Sequence, residues 1–241
     1  MTPPEAVVIV AMDDESLPFL ERSVDVSEPW KVGNARLQSM TLAGHPIVLV
    51  MSGIGLVNAA GATTTTLLSE GLVGSAPLVI SAGTAGGVGE GVHVGEVVVG
   101  SSYINIDADA RVFGYELGQV PGMPAAYFGD SKLLEAVPAA AALPDGTPFT
   151  VARGLMVSSY AFVDADRVPR IRSEFPAARS TDMETVAIAQ TSHVFGVPFV
   201  SVRGISDLCG PSADDDHLRH VDDASDRSAI VVVELLDALA R

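Results

Sequence analysis

The feature that most constrains the fold of this chain is a series of short apolar segments, rich in β-branched residues, that end abruptly in polar or glycine-rich residues. Segments of this kind are 7–12, 47–51, 78–82 and 198–205. Such runs are typical of strands buried on both faces of a sheet. They alternate with stretches of helical length, which predicts an α/β domain with helices packed on a mostly parallel or mixed sheet.

The other elements follow from the length of each segment and the spacing of its apolar residues. Two more strands are predicted at 96–106 and 149–157. Helices are predicted at 57–70, 133–143, 184–195 and 229–240. Either Thr181 or Asp182 is expected to N-cap the third of these helices. The Asp-rich stretch 210–223 is expected to be a loop, and the whole chain, 1–241, to form a single domain.

Composition excludes several classes of function. A length of 241 residues suffices for one α/β domain with a sizeable core. The formal charge of −16 argues against nucleic acid as a partner, because phosphates would be repelled. No basic stretch precedes the first apolar run, and no segment reaches the roughly 18 uninterrupted apolar residues of a membrane span. With Cys209 as its only cysteine, the protein is expected to be soluble and cytoplasmic.

Acidic residues stand where core elements begin or end. Glu15 closes an acidic cluster after the first strand, Glu184 opens a predicted helix, and Asp207 ends a buried strand. In open α/β sheets, ligands bind outside the carboxyl ends of the strands. Three carboxylates there would suit a site that handles a sugar and a leaving group that needs a proton. Each acid also has a plainer explanation: Glu15 as a solvated loop residue, Glu184 as an acid favoured in the first turn of a helix, and Asp207 as a loop cap.

Seven motifs occur in the same order and at similar spacing as in a known family. They are AMDDE (11–15), SGIG (52–55), AGTAGG (82–87), DAD with FGYELGQVPG (107–122), SSYAFV (158–163), DMETVAIA (182–189) and VRGISD (202–207). By these motifs the chain resembles the 5′-methylthioadenosine/S-adenosylhomocysteine nucleosidases of the nucleoside phosphorylase superfamily. The resemblance implies a three-layer α/β/α sandwich with a central mixed sheet. It also implies hydrolysis of the N-glycosidic bond of a 5′-modified adenosine, without metal or organic cofactor.

The resemblance implies a role for each charged residue. Glu15 would orient the attacking water, and Asp207 would protonate N7 of the departing purine. Glu184 would accept hydrogen bonds from the ribose 2′- and 3′-hydroxyls, which suits a carboxylate with two acceptor oxygens. Met183 would pack against the sugar. Arg203 would hold the acids in place, although by itself it could equally be a structural ion pair.

The same resemblance implies a binding slot for the base. Phe162 would stack on adenine, and the backbone of Val163 would read its edge; a core phenylalanine is the plainer alternative. Thr84 stands where the family usually has serine, with the hydroxyl retained near the sugar or water. Ile54 would line the ribose side.

Two further positions imply a second subunit. Phe113 and Pro121 match residues that the family inserts over the 5′-substituent of the neighbouring subunit's substrate, which predicts a homodimer with shared sites. His217 and His220, beside three aspartates, fall in a segment that resembles the family's substrate lid, and we do not interpret them as metal ligands. Cys209 has no recognisable histidine partner for nucleophilic catalysis.

Alternatives on the same fold remain open. Phosphorylases of the superfamily hold phosphate with arginines, but Ser81 occupies one such place and no Arg or Lys occurs in 1–21. Water is therefore the expected nucleophile. An aminodeoxyfutalosine or futalosine nucleosidase would differ only in the 5′-group or the base. A purine nucleoside phosphorylase and a non-catalytic nucleobase-binding protein are the remaining possibilities.

Overall fold

The structure, a computed structural model, describes residues 4–69 and 77–240. Its strands are β1 (Ala6–Val10), β2 (Ser23–Val24), β3 (Trp30–Val32), β4 (Ala35–Leu42), β5 (His45–Met51), β6 (Leu78–Gly87), β7 (Val97–Asn105), β8 (Tyr127–Phe128), β9 (Ala140–Ala142), β10 (Pro148–Ser158), β11 (Ala178–Asp182) and β12 (Phe199–Asp207). Its helices are α1 (Asp13–Glu21), α2 (Leu56–Ser69), α3 (Ser131–Ala136), α4 (Val168–Glu174), α5 (Thr185–Phe195) and α6 (Ala213–Leu239).

These strands form one mixed sheet. Along its main path the order is β11-β10-β7-β12-β6-β1-β5-β4-β2. Strand β6 lies near the centre and pairs in parallel with both β1 and β12. Strand β11 pairs with β10 and also, antiparallel, with the end of β6, so this half of the sheet closes on itself. The closure brings the ends of β6, β11 and β12 to one place.

Helices cover both faces of the sheet, because successive side chains of a strand point to opposite sides. On β1, Ala6, Val8 and Val10 belong to a core shared with α1 and α6. The intervening Val7 and Ile9 belong to a second core shared with α2 and α5. The predicted three-layer α/β/α sandwich with a mixed central sheet is therefore confirmed.

Most of the predicted elements are confirmed to within a few residues. The six predicted strands correspond to β1, β5, β6, β7, β10 and β12. The strand predicted over 78–82 is longer than expected, since β6 continues through the glycine-rich segment to Gly87. Helices α2 and α5 also match, but the predicted end of the former at Glu70 lies outside the described residues.

The predicted helix over 133–143 is wrong in its second half. Helix α3 ends at Ala136, and β9 pairs antiparallel with β10. Val137 adopts an extended conformation with ψ of 130°. It precedes Pro138, which disfavours a helical conformation at the residue before it and cannot donate a helical hydrogen bond. The alanine-rich composition of the segment did not outweigh this proline.

The predicted loop over 210–223 is also wrong, because α6 begins at Ala213 and runs for 27 residues. Its three aspartates, 214–216, lie in the first turn, where the helix dipole favours negative charge. Val221 and Ala224 are buried, so the helix packs on the core from its first half onward. Among residues 4–69 and 77–240, neither α6 nor any other helix combines the length and apolar character needed to cross a membrane.

Candidate active site

A cavity opens where β6, β11 and β12 end and where α1, α5 and α6 begin. Residues predicted from the sequence line it: Glu15, Ile54, Thr84, Phe162, Val163, Met183, Glu184 and Asp207. Arg203 is fully buried behind these residues. The structure does not bring Phe113 or Pro121 to the cavity of their own chain. Both are exposed on the surface, Phe113 with 78% of its area accessible.

Strand register decides which residues meet in this cavity. In the parallel pairing of β12 with β6, Arg203 lies beside Gly83 and Asp207 beside Gly86, with a bulge between Ile205 and Asp207. Gly83 has a φ of +129°, and a Cβ there would lie 2.3 Å from Glu15 Oε1. Only glycine fits this position, since it tolerates the backbone conformation and leaves room for the carboxylate.

Glu15 follows the first strand, as predicted, but it lies in the first turn of α1 rather than at the end of that strand or in a solvated loop. Its side chain turns inward and is buried, whereas Asp13 and Asp14 face solvent. Oε2 accepts a hydrogen bond from the backbone N–H of Ala11 at 2.7 Å. Oε1 accepts two from Thr84, from its N–H at 2.8 Å and its hydroxyl at 3.0 Å. A carboxylate offers about four acceptor positions, so one remains, on Oε2.

Arg203 lies at the centre of three buried acids, Glu15, Asp182 and Glu184, and we call these four residues the arginine cluster. Its Nη1 lies 3.7 Å from Glu15 Oε1, its Nε 3.8 Å from Asp182 Oδ2 and its Nη2 3.6 Å from Glu184 Oε2. Nη2 also donates to Ser81 Oγ at 2.8 Å. Burial alone would lower the pKa of Arg203, but the three carboxylates together outweigh it and raise that pKa. The guanidinium is therefore permanently charged and faces three carboxylates, although its Nε has no hydrogen-bond partner among the described residues.

Asp182 belongs to this cluster, although the sequence indicated only a helix cap. The N-cap residue of α5 is Glu184 rather than the predicted Thr181 or Asp182, but Oδ1 of Asp182 accepts from the N–H groups of Glu184 at 3.0 Å and Thr185 at 2.8 Å at the start of this helix. The same oxygen accepts from Ser158 Oγ at 2.8 Å. The preference of aspartate for helix N-termini was visible in the sequence. Its proximity to Arg203 was not, because it depends on the pairing of β11 with β6.

Glu184 is the acid in this cluster whose protonation the fold perturbs most clearly. Its Oε1 accepts a hydrogen bond from the N–H of Gly55 at 2.9 Å. Burial raises the pKa of Glu184 to about 7, and the negative charges of Asp182 and Glu15 add to the rise. Arg203 and the Gly55 N–H oppose it. Near neutral pH, Glu184 therefore populates both the carboxylate, which only accepts hydrogen bonds, and the neutral acid, which can also donate one.

Asp207 lies apart from the arginine cluster, in a hydrogen-bonded chain of its own. Its Oδ1 accepts from the N–H of Cys209 at 2.8 Å. Its Oδ2 lies 3.0 Å from Ser206 Oγ, which in turn lies 3.0 Å from Nδ1 of His217. Burial, with the charge of Asp207, raises the pKa of the Cys209 thiol, which disfavours the thiolate. Ser206 was not predicted as a site residue, and His217 was placed in a loop; both line the cavity.

The mouth of the cavity is apolar and open. Phe162 is 46% exposed and Ile54 50% exposed, whereas Val163 beside Phe162 is buried. The ring of Phe162 meets the ring of His217 edge to face, with 6.1 Å between the centroids. An exposed aromatic face at the entrance of a polar cavity suits a flat apolar ligand group, such as a heterocyclic base.

The site therefore has a definite chemical character. Four carboxylates, those of Glu15, Asp182, Glu184 and Asp207, surround it, and the one cation among them is already engaged. Such a site favours a ligand rich in hydrogen-bond donors over an anion. It also offers carboxylates on separate elements, which can accept a proton at one position and supply it at another.

Comparison with known proteins places this architecture in a family. A model of the phosphorylase superfamily matches residues 5–239. A 5′-methylthioadenosine/S-adenosylhomocysteine nucleosidase of Anoxybacillus flavithermus is 40% identical over 205 residues, covering 84% of this chain and 85% of the relative. One from Geobacillus thermodenitrificans is 36% identical over 233 residues, covering 96% of each.

Solved structures show the same relationship. The nucleosidase of Neisseria meningitidis in complex with methylthio-immucillin-A superposes with a TM-score of 0.88 at 38% identity, over 97% of this chain and 98% of the other. The nucleosidase of Colwellia psychrerythraea in complex with adenine superposes with a TM-score of 0.90 at 29% identity, over 99% of this chain and 96% of the other. The chain therefore belongs to the phosphorylase superfamily and, within it, to the 5′-methylthioadenosine/S-adenosylhomocysteine nucleosidases.

Proposed function

We propose that this protein hydrolyses the N-glycosidic bond of 5′-methylthioadenosine, S-adenosylhomocysteine or a related 5′-modified adenosine, and releases adenine. Curated relatives that match nearly the whole chain carry this activity in their names. The neighbouring structures bind methylthio-immucillin-A or adenine. One observation carries the proposal: Glu15 and Asp207 are two buried carboxylates that lie on separate elements and line the same cavity.

In this mechanism Glu15 activates water. Three donors hold its carboxylate in place, and the remaining acceptor position on Oε2 takes the proton of a water aimed at C1′. Asp207 gives its proton to N7, so the electrons of the breaking C1′–N9 bond leave with a neutral purine. Water then bonds to the oxocarbenium-like C1′, and its proton passes to Glu15. The products are adenine and the free sugar.

The remaining residues position the substrate. Glu184 accepts from the ribose hydroxyls, with Met183 against the sugar and Ile54 on the ribose side of the mouth. Phe162 stacks on adenine, and the backbone of Val163 reads the edge of the base. Thr84 holds Glu15 through its hydroxyl. Arg203 keeps the acids in their places without touching the reacting atoms.

Water fits this site better than phosphate. Ser81, at a position where phosphorylases use arginine, accepts a hydrogen bond from Arg203. That guanidinium is the cation of the arginine cluster and already faces three carboxylates. A phosphate dianion placed among them would meet a net negative environment.

The proposal is tested by chromatography of reaction products. Purified protein is incubated with methylthioadenosine, S-adenosylhomocysteine, aminodeoxyfutalosine and inosine, each with and without phosphate. We expect adenine and free sugar from the first two, at rates independent of phosphate. Accumulation of a sugar 1-phosphate would indicate a phosphorylase instead. Preference for aminodeoxyfutalosine would assign the other nucleosidase activity, and binding of adenine without any turnover would leave only a nucleobase-binding role.

We further propose a homodimer in which Phe113 and Pro121 of each subunit complete the other subunit's site. Helices α2 and α5 expose apolar side chains, including Val57 at 72% and Val194 at 66%, which line one groove together with Leu56 and Phe195. Adjacent apolar groups of this kind favour burial against a second subunit. Val57→Asp should shift the mass measured by light scattering from that of a dimer to that of a monomer. Activity should fall in parallel with the loss of the dimer. A fully active monomeric parent would contradict this arrangement.

We also propose that the protein functions in the cytoplasm. Its only cysteine, Cys209, is buried and free. Proteins of oxidising compartments commonly use their cysteines in disulfides, whereas reducing compartments keep thiols free. Cell fractionation followed by immunoblotting tests the location, and recovery from a secreted or periplasmic fraction would contradict it.

A further inference from the structure

Asp207 is the acid of the mechanism above, but Ser206 and His217, which continue its hydrogen-bonded chain, have no part in that mechanism. Ser206 Oγ lies 3.0 Å from both Asp207 Oδ2 and His217 Nδ1, and 3.5 Å from the carbonyl oxygen of Ala85. Ser206 and Asp207 are buried, whereas His217 is only partly buried, in the early turns of α6. The chain therefore links a buried acid to the surface through one hydroxyl.

The proton count of this chain allows two arrangements. Ser206 has a single hydroxyl proton, which can point to Asp207 or to His217. When Asp207 is ionised, the hydroxyl donates to Oδ2, and Nδ1–H of His217 donates to the hydroxyl oxygen. When Asp207 is protonated, Oδ2–H donates to the hydroxyl oxygen, and the hydroxyl donates to Nδ1. Moving one proton along each of the two hydrogen bonds converts one arrangement into the other.

We propose that His217 reloads the acid Asp207 with a proton through Ser206 after each turnover. This inference rests on the proposed function, in which Asp207 loses its proton to the purine. The imidazolium Nδ1–H passes to Ser206 Oγ while the serine proton passes to Asp207 Oδ2. His217 becomes neutral and regains a proton from solvent at its exposed side, and this uptake is balanced by the proton that Glu15 releases to solvent. His217 is thus a positioning and relay residue rather than a group that contacts the reacting atoms.

A relay is useful here because the acid is inaccessible. Asp207 is only 2% exposed, and adenine in the slot would separate it further from solvent. Without the relay, the carboxylate must be reprotonated by a solvent molecule that reaches it directly. Regeneration of the acid, rather than the first bond cleavage, should therefore depend on His217. Charged or titratable groups near it are Asp207 on β12, Glu15 and Glu184 lining the same cavity, and Asp214 and His220 one turn away on α6.

The test compares first and later turnovers. His217→Phe keeps an aromatic ring against Phe162 but cannot relay a proton, and Ser206→Ala removes the middle of the chain. In both variants, adenine release from methylthioadenosine should show a fast first turnover followed by a slower steady state. The burst should equal the concentration of active sites. The first turnover should match that of the parent, whereas the steady-state kcat should fall roughly tenfold below it.

Matched controls separate this role from packing. His220→Gln alters the neighbouring histidine, whose Nδ1 lies 3.1 Å from the backbone oxygen of Ser206 rather than from its hydroxyl, and it should leave both the first turnover and the steady-state rate unchanged. The double variant His217→Phe/Ser206→Ala should be no slower than either single variant, because both interrupt one chain. On a nitrophenyl riboside, whose leaving group needs no proton, all variants should match the parent.

Each other outcome has a definite meaning. A fall in the first turnover equal to that in the steady state, or equal losses on the nitrophenyl riboside, would indicate a structural role and overturn the relay. A change in KM alone would make His217 a substrate contact and overturn it as well. Failure of the parent to release adenine would instead reject the proposed function.

Discussion

Two sides of the cavity differ in how firmly the fold holds them. The arginine cluster consists of fully enclosed charges, with Arg203 only 1% exposed and its acids held by backbone and side-chain donors. The opposite side, which we call the histidine side, comprises Asp207, Ser206, His217 and Phe162. Apart from its buried acid and serine, it is open to solvent, and Phe162 is nearly half exposed.

This difference indicates that the two sides of the cavity have different tasks. Charges that must stay in place during bond cleavage are most effective when they are preorganised in a water-poor environment. A side that admits the base and exchanges protons with solvent needs access. We therefore expect changes on the histidine side to alter activity more than stability, and changes in the arginine cluster to alter both.

The largest effect is expected from Asp207→Asn. The amide can still donate a hydrogen bond to N7 but cannot transfer a proton, so kcat on methylthioadenosine should fall by roughly 10²–10⁴-fold. Stability should change by no more than about 1 kcal/mol, because the amide oxygen can still accept from Cys209. On a nitrophenyl riboside, Asp207→Asn should recover much of its rate, whereas Glu15→Gln should not. Turnover of methylthioadenosine at the parent's rate would show that Asp207 is not the acid.

Arg203→Met should have the largest effect on stability. It removes the cation from three buried carboxylates, and breaking a buried ion pair in this way costs about 3–5 kcal/mol. Urea unfolding measures the loss, and Arg170→Met is the control, because the pair of Arg170 with Glu174 lies at the surface and is worth at most about 1 kcal/mol. Equal losses of unfolding free energy in the two variants would contradict the expected difference between buried and exposed charges.

Stability should depend on pH through Glu184. Its pKa is about 7 in the folded chain, against 4.5 for the free side chain, so folding takes up a proton between these values. The contribution is complete below pH 4.5 and is lost as the pH rises to 7, by about 3 kcal/mol. Glu184→Gln should lack this component, so the difference in unfolding free energy between parent and variant should change across that window. A constant difference would contradict the prediction.

The smallest effect is expected from Phe162→Ala. Stacking of a base on an aromatic ring is worth about 1–3 kcal/mol per base, so adenine affinity should weaken by that amount, as measured by calorimetry. Stability should barely change, since the ring is already half exposed. Phe162→Tyr, which keeps the stacking face, should bind adenine like the parent. A large loss of stability would instead indicate that Phe162 contributes to core packing rather than to the open histidine side.

The sequence by itself determined the elements and the reactive groups. Apolar runs and helical spacing located most strands and helices, because period and length are local properties of the chain. The motifs located Glu15, Glu184 and Asp207. The errors were local as well: Pro138 ended a helix that alanine-rich composition favoured, and buried Val221 and Ala224 extended α6 through a segment whose aspartates suggested a loop.

Only the tertiary structure decided which of these groups meet. Arg203 lies 188 residues from Glu15 in sequence, and the two approach because β12 pairs with β6 in one register while Gly83 leaves space for the carboxylate. Asp182 joins them through the closure of β11 onto β6. His217 reaches Ser206 only because its segment is helical. Local sequence patterns specify backbone conformation, whereas contacts between distant residues depend on strand register and packing, which no single segment encodes.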